Sequence, residues 1–183
     1  MELRLLKQID LGALQEVVIG HESWETFDVS RIETENTVYF SMILRKLDSL
    51  FVNTWIPTEV DLKEYEKSFA QDTSIAAYED GLLVGVAIGE VVEWNQTFWI
   101  REFHVRKNFH RRGIGWLMME KMVDIARECG MRIVALETQN TNVPAIRFYQ
   151  AMGFSVDSLD VSFYTNDDYE KGEIAVFMKR KLI

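Results

Sequence analysis

The chain has 183 residues, of which 48% are hydrophobic and 27% charged, with 2 prolines and a formal net charge of -9. A single domain over residues 1–183 is expected, since domains usually run to roughly 100–200 residues, and so apolar a composition disfavours long disordered tails. The acidic side chains are spread along the sequence, which disfavours a nucleic-acid partner that needs clustered Lys and Arg and suits a cationic small molecule.

The opening Met1-Glu2-Leu3-Arg4 lacks a basic region followed by an apolar one, so no leader peptide is expected. Leu3 and Leu5 around Arg4 suggest a short edge strand, and Gly12 to Ile19 a helix. Val38 to Phe51 carries apolar residues at helical spacing, Trp55-Ile56-Pro57 is a break, and Thr58 to Phe69 suggests a further helix. Residues 21–69 are therefore expected to form two or three helices with loops.

From Ser74 the pattern changes to strands. Ser74 to Tyr78, the turn Glu79-Asp80-Gly81 and Leu82 to Trp94 read as a hairpin, because Asp-Gly between β-rich runs favours a primed turn. Leu82 to Val92 is the longest apolar stretch, but Gly85, Gly89 and Glu90 interrupt it and it is too short for a bilayer, so no membrane role is expected. Thr97 to Val105 adds a third antiparallel strand.

Gly113 to Glu128 then places Ile114, Met118, Met122 and Ile125 on one helical face and stops at Gly130. Cys129 is the only cysteine, which excludes an intrachain disulfide, reads as a packing residue and points to a reduced cytoplasmic compartment. Arg132 to Thr138 reads as a buried strand, Asn142 to Met152 as a helix closed by Gly153, and Phe154 to Tyr164 and Gly172 to Lys179 as two closing strands. The strands on either side of the Gly113 helix should run parallel with a right-handed crossover. The fold class is mixed α/β.

The chemistry concentrates at His110-Arg111-Arg112-Gly113-Ile114-Gly115-Trp116, between a strand and an amphipathic helix. Its glycines remove the Cβ atoms that would keep a ligand from the first-turn amides. Those N–H groups, the positive end of the helix dipole and Arg111 and Arg112 would suit a pyrophosphate. A solvated basic turn is the plainer alternative. Position 118 is Met, so a dinucleotide Gly-x-Gly-x-x-Gly motif is absent, and so is a P-loop lysine.

His110 to Gly115 resembles the Gln/Arg-x-x-Gly-x-Gly/Ala acetyl-coenzyme A signature of the GNAT superfamily of N-acetyltransferases, departing from it at His110. Asn142-Val143-Pro144-Ala145, Phe148-Tyr149 and Gly153-Phe154 resemble its second signature. With Leu136-Glu137-Thr138-Gln139 and Leu159 to Tyr164, the C-terminal half is similar to the streptothricin acetyltransferase branch. The resemblance implies a mostly antiparallel mixed sheet with splayed middle strands, flanked by helices. Residues 1–73 would be the acceptor side, and 74–183 the sheet and acetyl-coenzyme A core.

The reaction it implies is direct acetylation of a primary amine on a small, cationic molecule, antibiotic-like or a polyamine. Protein or peptide acetylation and a non-catalytic acyl-coenzyme A sensor are the alternatives. A homodimer is left open. A lysine-like amine is neutral in only about one molecule in a few thousand at neutral pH, so a base is required. Glu102, a charge in mid-strand, is the first candidate; a plain pairing with Arg101, His104 or another basic neighbour is the alternative. His104 is an alternative base, and Glu137 a second carboxylate, either holding the amine or serving structure.

By resemblance Tyr149 would protonate the departing thiolate, against an aromatic packing role beside Phe148 and Phe154. Asn142 would cap its helix and touch the cofactor, and main-chain groups of Phe103, His104 and Val105 would pair with the pantetheine arm. Three histidines and one cysteine show no ligand spacing, so no metal is expected. Trp24, Tyr39, Trp55 and Trp94 could line an acceptor pocket, but most aromatics in such a chain build the core.

Overall fold

The computed structural model describes residues 1–182 and divides into two compact units. The first comprises residues 1–20, 54–136 and those from 179 onward; the second comprises 21–53 and 137–178. The hydrogen-bonded order of the main sheet is β1-β4-β5-β6-β7-β9-β8, where β1 is Glu2–Leu5, β4 Ile75–Glu79, β5 Leu82–Val92, β6 Thr97–Val105, β7 Ile133–Gln139, β8 Ser155–Asp160 and β9 Ala175–Lys181. The pairs β1–β4, β4–β5 and β5–β6 are antiparallel and β6–β7 is parallel. The expected meander and crossover are therefore present.

In the first unit, α1 (Leu11–Val17) and α2 (Glu59–Ala70) pack on β5. Leu14, Val17, Tyr65 and Phe69 join Val86 and Ile88 in one buried cluster. The helix α2 begins where the Asp61 carboxylate accepts from both the Thr58 amide and hydroxyl, each at 2.7 Å. The helix α3 (Ile114–Glu128) also packs on β5, burying Met118, Met119 and Met122. Gly85 permits that approach, because a Cβ there would sit 2.6 Å from Met118 Sδ and 3.1 Å from the His104 carbonyl oxygen. The β4–β5 turn has positive φ at Asp80 (50°) and Gly81 (80°), as a primed hairpin turn requires.

The second unit corrects the reading of 21–69. Val38 to Phe51 is no helix: β2 (His21–Glu33) and β3 (Val38–Asn53) form one long antiparallel hairpin, so 1–73 contains two helices, β1 and this ribbon. Helical spacing of apolar residues misled because both strands alternate as well, Phe27 and Val29 facing Leu44 and Met42 across the ladder. The turn signal is weak, with no glycine between Glu33 and Val38; Thr34 N donates to Thr37 O at 2.8 Å. The helix α4 (Val143–Ala151) lies where expected, whereas α5 (Asp168–Lys171) was not anticipated. Asp168 is buried and its carboxylate accepts from the Tyr164 and Thr165 amides, folding that turn.

Candidate active site

Strand β6 carries the first group of site residues. Its register opposes Ile88 to Glu102 and Gly89 to Ile100, so Arg101 is the extra residue of a bulge. Beyond the bulge, Glu102 and His104 face the same side as Ile88 and Val86, the side that α1 and α2 cover. There Tyr65 Oη donates to Glu102 Oε1 at 2.6 Å, and His104 Nε2 lies 2.7 Å from Glu102 Oε2. Burial, and then the Glu102 charge, push the Tyr65 phenol far above its ordinary range, so it serves as a donor only. Of the partners weighed for Glu102, the structure brings His104; Arg101 instead pairs with Glu90 at 2.7 Å.

The parallel ladder between β6 and β7 ends at Ile100 opposite Leu136, while β6 continues to Val105 against β5. The main chain of Phe103, His104 and Val105 lies beyond that parallel ladder, paired with Ala87, Val86 and Gly85 of β5. Past β6 the chain turns through His110, whose Nε2 lies 2.6 Å from the Val105 carbonyl oxygen. Here the signature's departure at His110 acts as a loop tie.

Arg111 takes a left-handed φ of 59° and Gly113 one of 81°, and α3 starts at Ile114 without any side-chain cap. Its first helical bond runs from Leu117 N to Gly113 O. The amides of Ile114, Gly115 and Trp116 thus form the uncapped first turn. Arg112 is held by Glu79 at 2.8 Å and over the Phe109 ring at 5.0 Å.

In the second unit, Glu137 accepts a hydrogen bond from Tyr164. Burial, and then Glu137, raise the Tyr164 phenol far above its ordinary range. Asn142 caps α4, its Oδ1 accepting from Ala145 N at 3.3 Å, with Pro144 in the first turn. Tyr149 is buried on α4 beside Phe148 and Phe154, with ring centroids 5.5 and 6.0 Å away. The packing surroundings weighed for Tyr149 are therefore present.

Several side chains differ from the sequence reading. Cys129 is exposed at the end of α3 rather than packed. Trp24, Tyr39, Trp55 and Trp94 are exposed as well, Trp94 at 87%, so they are not core. Among the described residues no group of three or more His, Cys, Asp or Glu could hold a metal, and no helix is long and apolar enough to cross a membrane. Sequence reasoning missed Tyr65 and Tyr164, the phenols that hold the two carboxylates. For Tyr65 a signal existed: it shares the apolar face of α2 with Leu62 and Phe69, and a buried phenol needs a hydrogen-bond partner.

The acetyltransferase (GNAT) family model matches residues 40–154, more than half of the chain. Streptothricin acetyltransferase of Streptomyces lavendulae is 38% identical over 106 residues, covering 58% of this chain and 56% of that relative, so the match spans a little over half of its length. Streptothricin acetyltransferase A of Bacillus subtilis is 28% identical over 153 residues, 75% of this chain and 86% of the relative. Among solved structures, nourseothricin acetyltransferase superposes with a TM-score of 0.76 at 25% identity, over 94% of this chain and 92% of that one. A Bacillus anthracis structure in complex with acetyl coenzyme A shares the fold at a TM-score of 0.73 and 20% identity, over 99% of both chains. The chain therefore belongs to the acetyltransferase (GNAT) family, acyltransferases whose co-substrate is acetyl-coenzyme A.

Proposed function

We propose that this chain transfers the acetyl group of acetyl-coenzyme A to a primary amine of a small cationic molecule of the streptothricin kind, by direct attack and without a covalent enzyme intermediate. The uncapped start of α3, directly after a strand carrying a partly buried carboxylate, carries this reading. A helix start without a side-chain cap offers several N–H donors and the positive dipole end to an anion. The diphosphate of the co-substrate would be held by the amides of Gly113 to Trp116, with His110 shaping the loop and Arg111 and Arg112 adding charge. The main chain of Phe103 to Val105 would pair with the pantetheine amides, and Asn142 would touch the co-substrate while capping α4.

Glu102 is the base centre in this reading, taking the acceptor's proton directly or through a water. Tyr149 returns a proton to the departing thiolate, and Glu137 attracts the cationic acceptor. The net charge of -9 favours such an acceptor. The names of the relatives from Streptomyces lavendulae and Bacillus subtilis support a streptothricin-like acceptor.

Thermal melts with acetyl-coenzyme A, followed by thiol release over a panel of amines, test this reading. The panel holds a streptothricin, a polyamine and an alanine-first peptide, the last because a ribosomal protein bS18-alanine N-acetyltransferase of Escherichia coli is 25% identical over 108 residues. Stabilisation by the co-substrate and turnover with the streptothricin are expected. Turnover with the peptide alone would replace the small-molecule acceptor with a protein one, and binding without any turnover would point to a sensor.

A further inference from the structure

Resting on the acetyl-transfer reading, we propose that Glu102 and His104 form a proton relay in which His104 is the outlet to solvent, with Tyr65 as the positioning residue that fixes the carboxylate. The three side chains are placed by separate constraints. The β6 register sets Glu102 and His104 on one face, two residues apart and opposite Ile88 and Val86. Tyr65 reaches them from α2, binding Oε1 at 2.6 Å while His104 Nε2 is 2.7 Å from Oε2. Exposure rises along this chain of contacts: Tyr65 is 6% exposed, the Glu102 side chain 14% and the His104 side chain 24%.

That gradient assigns the roles. A buried phenol whose ionisation is opposed by burial and by the neighbouring carboxylate can donate a hydrogen bond but cannot carry a proton away. Each carboxylate oxygen keeps a second lone pair for an incoming N–H. An imidazole is the side chain that ordinarily exchanges protons near neutral pH, and the more exposed position belongs to it. The neighbouring cations are occupied elsewhere: Arg101 pairs with Glu90, and Arg106 binds the Leu83 carbonyl and Glu16. Asp61 and Glu64 on α2 add negative charge near Tyr65, while β5 sets only Ile88 and Val86 opposite the pair.

The proton count closes. An ammonium acceptor gives one proton to Glu102, freeing its lone pair; His104, starting as the Nδ1–H tautomer, takes that proton at Nε2 and releases its Nδ1 proton to water, and proton exchange with solvent restores the starting tautomer. The new N–C bond then forms, the C–S bond breaks with its electron pair going to sulfur, and the second amine proton ends on the thiol. One proton reaches solvent for each amide made.

Two sets of measurements test the relay. In thiol-release assays His104→Gln should lower kcat by roughly 10²-fold, with acetyl-coenzyme A affinity kept and part of the rate restored by added imidazole. Tyr65→Phe should cost less, resist buffer rescue and displace the acid limb of kcat/KM. Independently of turnover, NMR of labelled imidazoles at fixed pH should show the His104 Nε2 resonance shifting in Glu102→Gln, with those of His21 and His110 unmoved.

A wild-type rate in His104→Gln, loss without any buffer response, or a His104 Nε2 resonance indifferent to Glu102→Gln would each overturn the relay while leaving acetyl transfer standing. Wild-type protein that binds acetyl-coenzyme A yet acetylates none of the panel would overturn both. If His104→Gln melts below the assay temperature, the imidazole resonance decides alone.

Discussion

The chain passes from strand to helix twice with a tyrosine-held carboxylate on the strand, and the two crossings differ in how the helix begins. In the first unit, β6 carries Glu102 under Tyr65, and α3 opens at Gly113 in the left-handed region with no side-chain cap. In the second, β7 carries Glu137 under Tyr164, and α4 opens at Asn142, whose own amide oxygen caps Ala145 N. One helix satisfies a first-turn donor with its own chain; the other leaves that turn to something outside it. The glycine that opens α3 has no side chain to cap the first turn, whereas Asn142 caps that of α4.

The largest expected contrast separates the two carboxylates. Glu102→Gln should lower kcat by roughly 10²- to 10³-fold with acetyl-coenzyme A affinity unchanged, read by thiol release and calorimetry. Glu137→Gln should act mainly on acceptor KM, because a group that only attracts the cation contributes to binding before the transition state and within it alike. Equal losses of kcat would erase the distinction between the crossings. Tyr149→Phe comes next: kcat falls by about 10²-fold while co-substrate binding persists. Because the Tyr149 ring is packed against Phe148 and Phe154, its removal to Ala would confuse chemistry with packing, and Phe does not.

A smaller contrast compares the helix starts. A Cβ at Gly113 meets nothing within 4 Å, so Gly113→Ala reports backbone strain at φ 81° alone, costing about 1 kcal/mol. The same change should weaken acetyl-coenzyme A by roughly tenfold, equivalent to about 1.4 kcal/mol. Asn142→Ala should cost about 1 kcal/mol of stability, a fall in Tm of roughly 2–4 °C, with a lesser loss of affinity. Paired melting and calorimetry on both variants measure this, and a reversed order of affinity losses would move the diphosphate away from α3.

These differences were partly legible in the sequence. Asp80-Gly81, the apolar face of Ile114, Met118 and Met122, and Asn142 with Pro144 are local signals, and the elements they mark appear where expected. The ribbon β2–β3 was not legible, because its pairing joins residues up to 32 apart, from His21 with Asn53 to Glu33 with Val38, around a turn without glycine. In the site, Glu102 stands out as a charge in mid-strand, and His104 follows from strand periodicity. Tyr65 and Tyr164 lie 37 and 27 residues from the carboxylates they hold. Contacts of that kind depend on tertiary packing, which no local pattern encodes.

The last prediction concerns the second crossing alone. His21 Nε2 lies 3.2 Å from Thr141 Oγ1, just ahead of the α4 cap, and its ring is 5.7 Å from that of Phe51. Burial lowers its imidazole from 6.5 to about 4, since an apolar setting opposes the charged form. Above pH 6.5 the imidazole is neutral in folded and unfolded chain alike, and stability there is independent of it. As pH falls from 6.5 towards 4 the unfolded chain takes up a proton that the folded chain refuses, so stability declines across that window and levels off below it. The ring is partly exposed, which moderates the slope. The informative quantity is the difference between wild type and His21→Gln in denaturant-derived stability, because the many carboxylates contribute to both. That difference should change between pH 6.5 and 4 and be flat above; a flat difference throughout would mean that His21 takes up its proton alike in the folded and unfolded chain, so that burial does not oppose its charge.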